Sequence, residues 1–162
     1  MEFIIRTTTS QDYKELCGVF MEVHSLHVEA VPSAFRKLKT SEEVKEQFSF
    51  ALDRDDAILL VAESAGQIAG AVCAKMIDAP GDSYLAPSRF LLIDTLVVRE
   101  KFRRNGIGKA LLDKAHRWGK EKGAVRAALS VWEFNQNAIK AYEKLGYQTM
   151  IRRMWLPFDD DI

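Results

Sequence analysis

The sequence predicts one α/β domain, a mixed and mostly antiparallel central sheet flanked by helices, and three observations lead there. The chain has 162 residues, 48% of them hydrophobic, enough to bury one sizeable core and too few for two comfortable domains, so residues 1–162 read as a single unit. Three β-prone apolar runs, 57–63, 68–76 and 90–98, succeed one another in mid-chain. Segments with apolar residues at helical spacing lie before and after them, the pattern of a sheet that carries helices on both sides.

Each element has its own signal. A short strand is expected at Phe3 to Arg6. Thr9-Ser-Gln-Asp12 then reads as a capping box ahead of Leu16, Val19, Phe20, Val23 and His27, one face of a first helix. Thr40-Ser-Glu-Glu43 repeats the pattern before Val44, Phe48, Ala51 and Leu52, and Asp53-Arg-Asp-Asp56 breaks this second helix. The runs from Ala57 to Glu63 and Ile68 to Met76 flank a Ser64-Ala-Gly-Gln67 turn, which predicts an antiparallel hairpin. Asp78 to Pro87 is rich in Asp, Gly, Pro and Ser and reads as a surface loop. Phe90 to Val98 is almost continuously apolar, broken only by Asp94 and Thr95, as expected of a central strand covered on both faces. Ile107, Ala110, Leu111, Ala115 and Trp118 mark a third helix ending near Gly123. A strand at Ala127 to Val131 follows, then a helix through Asn135, Ala138, Tyr142 and Leu145 that Gly146 terminates. Tyr147 to Leu156 alternates enough to predict one or two further β segments, before the acidic run Asp159 to Asp161.

Composition narrows the function classes. Lys plus Arg and Asp plus Glu both total 23, a net charge of zero that offers no global attraction to a polyanion and disfavours a general nucleic-acid binder. No apolar stretch approaches the roughly 18 residues of a membrane span, and the N-terminus lacks the sections of a signal peptide, so a soluble cytoplasmic protein is expected. Cys17 and Cys73 lie in apolar segments far from any C-x-x-C spacing and read as reduced, buried thiols. His24 and His27 lie one helical turn apart, but no third ligand stands at a supporting spacing, so no metal site is expected.

The most informative segment is Val98-Arg-Glu-Lys-Phe-Arg-Arg-Asn-Gly-Ile-Gly-Lys109, where a strand ends, a basic loop follows and two glycines open a helix. Backbone N–H groups at a helix start lack intrahelical partners and carry partial positive charge. Residues without side chains at Gly106 and Gly108 let an anion approach them, and Arg103 and Arg104 add charge. A Walker loop does not fit: aligning its Gly-Lys on Gly108 and Lys109 puts Arg103 at the first glycine and Ala110 where a magnesium-binding Ser or Thr belongs. The dinucleotide fingerprint fails too, because Leu111 replaces its third glycine. Arg103-x-x-Gly106-x-Gly108 is left, either a phosphate seat or simply a tight turn into a helix.

That motif, after a strand ending Leu96-Val97-Val98, resembles the acyl-CoA pyrophosphate loop of the GNAT superfamily of N-acetyltransferases. Asn135-Gln-Asn-Ala-Ile-Lys-Ala-Tyr142-Glu-Lys-Leu-Gly146-Tyr147 is similar to a second segment of that superfamily, in the expected order. The early helices and hairpin also follow family order, although residues before Leu92 match only loosely. The resemblance implies acetyl-CoA as donor cosubstrate and a sheet with splayed central strands. Backbone amides of Arg103, Arg104, Asn105, Gly106, Ile107 and Gly108 would hold the pyrophosphate, with Lys109 beside them as a further cofactor-binding residue. The stretch Leu96, Val97 and Val98 would bind the pantetheine arm, Leu96 and Val98 pairing with it like an added strand.

Acetyl transfer to an amine needs a neutral nucleophile, stabilisation of charge on the thioester oxygen and a proton for the departing thiolate. By the resemblance Tyr142 is the proton donor; by periodicity alone it shares a helical face with Ala138 and Leu145 and reads as core. Asn135 either caps its helix or bonds the pantetheine, or does both. Asp94, the lone acid in its strand, either relays the amine's proton or sits in a structural ion pair. The branch that acetylates protein N-termini carries a glutamate five residues before the Asn, where this chain has Ser130, so that base does not transfer. Arg152 to Pro157 nonetheless resembles the end of those enzymes, which leaves small-molecule and peptide amines both open. His27, Pro32 and Phe35 are acceptor-side candidates, because the first two helices shape the acceptor pocket in related small acetyltransferases; a partly buried loop explains them equally well. The expectation is direct transfer in a ternary complex, with a noncatalytic acyl-CoA-binding module as the alternative. The partners expected are acetyl-CoA and an unidentified amine, with no nucleic acid and no membrane; a homodimer is compatible.

Overall fold

The computed structural model describes residues 1–40, 43–44, 51, 54–156 and 158. Five strands form one sheet in the order β1 (Ile4–Thr7), β2 (Ala57–Ser64), β3 (Gln67–Ala79), β4 (Ser88–Val98) and β5 (Ala127–Leu129). The first four pair antiparallel, and β5 joins β4 in parallel. Helices α1 (Tyr13–Ala30), α2 (Ile107–Glu121) and α3 (Gln136–Lys144) accompany them.

Strands β2 and β3 read as unbroken apolar sequence because both faces are covered. Leu59, Val61, Ile68, Ala71 and Cys73 meet Leu16, Cys17 and Val19 of α1 on one side. Leu60, Ala62, Ala69, Val72 and Ala74 meet Ile107, Leu111, Leu112 and Ala115 of α2 on the other. Complete burial of a leucine such as Leu111 contributes about 2 kcal/mol. Gly119 lets α2 approach this closely, since a Cβ there would stand 2.9 Å from Leu91 Cδ2.

Local signals act as read. Asp12 accepts the backbone N–H of Thr9 at 2.7 Å, the reciprocal half of the capping box, and also pairs with Arg6. Glu43 accepts the N–H of Thr40 and donates its own to the Thr40 hydroxyl, so the second capping box forms as well. The body of the helix expected after it lies mostly outside the described residues. Ala65 and Gly66 turn the hairpin with φ of 50° and 70°. Gly123 and Gly146 end α2 and α3 with positive φ and hydrogen bonds back across the last turn, Ala124 N–H to Gly119 and Tyr147 N–H to Tyr142.

Two expectations are corrected. The middle of the sheet is β3, not the strand at 90–98, because β4 has a second neighbour only over Leu91–Ile93. Tyr147 to Leu156 forms no strand: these residues are irregular and, beyond Tyr147, exposed. An alternating pattern specifies which face a strand would bury but supplies no neighbour, and among the described residues this segment pairs with no strand. No described helix is long and apolar enough to cross a membrane.

Candidate functional site

Where β5 stops, the sheet opens. Cys73 faces Thr95 and Ala74 faces Ile93, so Asp94 is the extra residue of a β-bulge in β4. Pairing with β5 ends at Ile93 and Leu129, directly before it. The extra residue reverses which side chains face which core: Leu91 and Ile93 lie in the α2-side core before the bulge, and Leu96 and Val98 pack there after it, while Val97 enters the α1-side core. Arg99 donates its N–H to Ala69 of β3. By alternation Leu96 and Val98 direct their backbone groups the other way, into the gap that β5 has left. Val97 turns both backbone and side chain toward the protein.

The basic loop closes one end of this gap. Arg104 and Gly106 have φ of 65° and 80°, left-handed conformations that carry the chain from the strand into α2. The first backbone bond of the helix runs from Ala110 N–H to Gly106. Among the described residues nothing accepts the N–H groups of Arg104, Asn105, Gly106, Ile107, Gly108 and Lys109. Six consecutive donors at a helix start form a seat for an anion. The scaffold holds them there: Asn105 Nδ2 donates to the carbonyls of Phe102 and Arg103, and buried Phe102 and Ile107 anchor the loop in the core. Arg103 donates to Val98, Arg104 is exposed, and Lys109 pairs with Asp113.

Helix α3 packs Tyr142 and Leu145 against the same core that Leu96 and Val98 line. Asn135 Oδ1 accepts the N–H of Ala138 at 3.2 Å and so caps the helix, leaving its amide nitrogen without a described partner. Tyr142 is half-buried and packs edge-on against Tyr147, ring centroids 5.7 Å apart. Burial pushes its phenol above the ordinary value, so the hydroxyl is a proton-bearing group throughout the neutral range. Tyr147 rises to about 12, from burial first and from Tyr142 second, and its hydroxyl lies 2.7 Å from His116 Nε2. Burial lowers His116, which favours the neutral imidazole. This Tyr142–Tyr147–His116 arrangement was not legible in the chain, since His116 lies on α2 and gave no signal beyond its place in a helix.

Asp94 is exposed and pairs with Lys75 Nζ at 3.2 Å, on the α1 side of the sheet. Cys73 is fully buried and its thiol is pushed up to about 12, chiefly by burial.

On the α1 side, aromatic rings run from α1 to the loop after β5. Val31 N–H and Phe35 N–H fold the chain back onto the helix end, through His27 and Val31 carbonyls. Phe35 then lies 5.1 Å from the His27 ring and 4.9 Å from Trp132, and His27 lies 5.3 Å from Phe134. His27 and Phe35 are therefore brought together with two residues the sequence reading did not name. The alternation Val131-Trp-Glu-Phe134 was the available signal. Pro32 sits exposed in the intervening turn, away from these contacts. His24 Nε2 bonds the Arg36 carbonyl and His27 Nδ1 bonds that of Val23, so each histidine already has a backbone partner.

Comparison with known proteins agrees with this geometry. Residues 21–147 match the model of the acetyltransferase (GNAT) family. The crystal structure of a mutant BH1408 protein from Bacillus halodurans superposes with a TM-score of 0.87 at 26% identity, covering 96% of this chain and 99% of that one. The aminoglycoside N-acetyltransferase AAC(6')-Iy, solved in complex with CoA, shares the fold with a TM-score of 0.74 at 18% identity, over 96% of this chain and 94% of that one. A thialysine N-epsilon-acetyltransferase of Caenorhabditis elegans is 31% identical over 74 residues, 45% of this chain and 46% of its own length. L-ornithine N5-acetyltransferase NATA1 of Arabidopsis thaliana is 38% identical over 66 residues, 41% of this chain and 28% of its own. The chain thus spans less than half of those two relatives. With a family model matched across most of its length and a sheet split beside a glycine-turned helix start, this chain belongs to the acetyltransferase (GNAT) family.

Proposed function

We propose that this protein is an N-acetyltransferase that moves the acetyl group of acetyl-CoA to a primary amine, of a small molecule or peptide, by direct attack in a ternary complex. The observation that carries the reading is the run of six unpartnered backbone N–H groups from Arg104 to Lys109 beside the open edge of β4. The donors take the pyrophosphate, and Leu96 and Val98 offer backbone groups to the pantetheine, as a strand edge does to an extended peptide. The thioester then lies between β4 and α3.

The amine nitrogen forms a bond to the acetyl carbon, and the carbon–sulfur bond breaks. The Leu96 N–H, directed into the gap, polarises the thioester oxygen. Tyr142 gives its phenolic proton to the departing thiolate, and burial keeps that proton in place beforehand. The amine's own proton passes to Asp94 through solvent, with Lys75 beside it. On the acceptor side, His27 and Phe35 with Trp132 and Phe134 form an aromatic wall suited to a cationic or apolar amine. The substrates in the relatives' names, thialysine and L-ornithine, favour a small molecule carrying a side-chain amine.

The test is calorimetry with acetyl-CoA followed by release of free thiol across a panel containing ornithine, thialysine, polyamines and N-terminal peptides. Turnover of at least one amine is expected. Binding without turnover on any of them makes the chain an acyl-CoA-binding module, and no binding removes the reading altogether.

A further inference from the structure

Helix α3 carries Tyr142, yet it buries none of its own residues completely. Among the described residues the Tyr142 hydroxyl has no hydrogen-bond partner, so the direction of its O–H is set by whatever holds the ring. Tyr147 touches that ring edge-on, centroids 5.7 Å apart, and is itself fixed at two points. Its N–H donates to the Tyr142 carbonyl at 3.0 Å, which closes the turn that Gly146 makes with φ of 91°. Its hydroxyl lies 2.7 Å from His116 Nε2, on a different helix. That helix, α2, is seated in the core by Ile107, Leu111, Leu112 and Ala115, none more than 1% exposed. Phenylalanine at 147 would pack on Tyr142 equally well. The hydroxyl adds something packing does not need, a directional link from the ring beside Tyr142 to a firmly buried helix.

We infer that Tyr147 is a positioning residue for Tyr142: tied to α2 through His116, it holds the Tyr142 ring so that the phenolic O–H keeps one direction. The inference rests on the proton-donor role proposed for Tyr142 above. A general acid acts only when its proton is aimed at the departing atom, and a misplacement of about 1 Å costs up to about 100-fold in rate. The tie is also electrically quiet. Burial favours the neutral imidazole of His116, where Asp113 and Lys120 on the same helix act in opposite senses, and the Tyr147 phenol is pushed up to about 12. Across the neutral range the pair therefore sets no charge beside Tyr142, and it orients the phenol without altering its acidity.

A double-mutant cycle on the full chain tests this, with steady-state kinetics on an amine the protein acetylates and acetyl-CoA affinity by calorimetry. Tyr147→Phe should lower kcat about fivefold, the order of one neutral hydrogen bond, with acetyl-CoA affinity unchanged. His116→Leu should lose the same factor, and His116→Gln, whose amide reaches the position of Nε2, should recover to within about twofold of wild type. In a Tyr142→Phe background, Tyr147→Phe should have no further effect, because the group it aims is gone. An undiminished kcat for Tyr147→Phe, the same fivefold loss in the Tyr142→Phe background, or His116→Gln no better than His116→Leu each overturns the inference. Tyr142→Phe at the wild-type rate, or no turnover of any amine, removes the proton-donor reading and this inference with it. A slow Tyr142→Phe beside a full-rate Tyr147→Phe keeps that reading and overturns the positioning role alone.

Discussion

The guanidinium Nε–H of Arg103 donates to the backbone carbonyl of Val98 across 3.0 Å, tying the basic loop to the last residue of the strand before it. Two surfaces that a coenzyme would touch, the amide run and the open strand edge, are thereby held at one angle. The bond also takes one of the acceptors that would otherwise face the gap.

Replacing that arginine should act on both. Arg103→Ala loses a charge-assisted hydrogen bond to backbone, and about tenfold weaker acetyl-CoA binding is expected by calorimetry. A preserved affinity would show that the loop holds its shape without the tie.

Gly108 separates space from conformation. A Cβ there would meet only Val98 Cγ2, at an ordinary 3.7 Å. Gly108→Ala should fold normally and bind nearly as well. Gly108→Leu should fill the corner between the helix start and the strand edge and weaken acetyl-CoA at least about tenfold, with the melting temperature kept within a few degrees.

Tyr142→Phe keeps the ring in its contact with Tyr147 and removes the proton. A fall in kcat of about 100-fold, with acetyl-CoA affinity unchanged, is expected from the loss of a general acid. The sign of the pH effect follows from burial, which raises the phenol. The wild-type protein is expected to keep the phenolic proton until pH exceeds the ordinary tyrosine range and to lose rate only above it. The variant should lack that alkaline limb in its pH–rate profile.

Asp94 and Lys75 make an ion pair whose side chains are 30% and 34% exposed, worth less than about 1 kcal/mol to the fold. Asp94→Asn should barely alter urea stability while lowering kcat/KM about tenfold. Equal rates at every pH would assign the amine's proton to solvent alone.

Far from the site, the Arg6 guanidinium holds Asp12 down to about 2, with further help from the Thr9 N–H. A carboxylate lowered on folding contributes stability that is complete above its unfolded value near 3.9 and is lost as pH falls through the folded one. Arg6 is about a third exposed, so the contribution at neutral pH is discounted to about 1–2 kcal/mol. Denaturation of Asp12→Asn should show that deficit at pH 7, and the two proteins should converge toward pH 2.

The fold class, both capping boxes, the hairpin turn and the glycine-turned helix start were legible because each depends on neighbours a few residues apart in the chain. Thr9 meets Asp12, Ala65 precedes Gly66, and the free amides from Gly106 to Lys109 follow from the hydrogen-bond arithmetic of any helix start, to which the loop adds those of Arg104 and Asn105. What the tertiary structure decided has another range. The bulge at Asp94 exists only in register with Cys73 and Ala74, and it moves Leu96 and Val98 to the face where β5 has ended. His27 meets Phe134, and Asp94 meets Lys75, across separations that no periodicity encodes. The alternation from Tyr147 to Leu156 has the pattern of a strand, yet the segment is paired with none among the described residues, since alternation fixes faces and not partners. Local backbone chemistry is written in sequence, whereas pairing is a property of two segments at once.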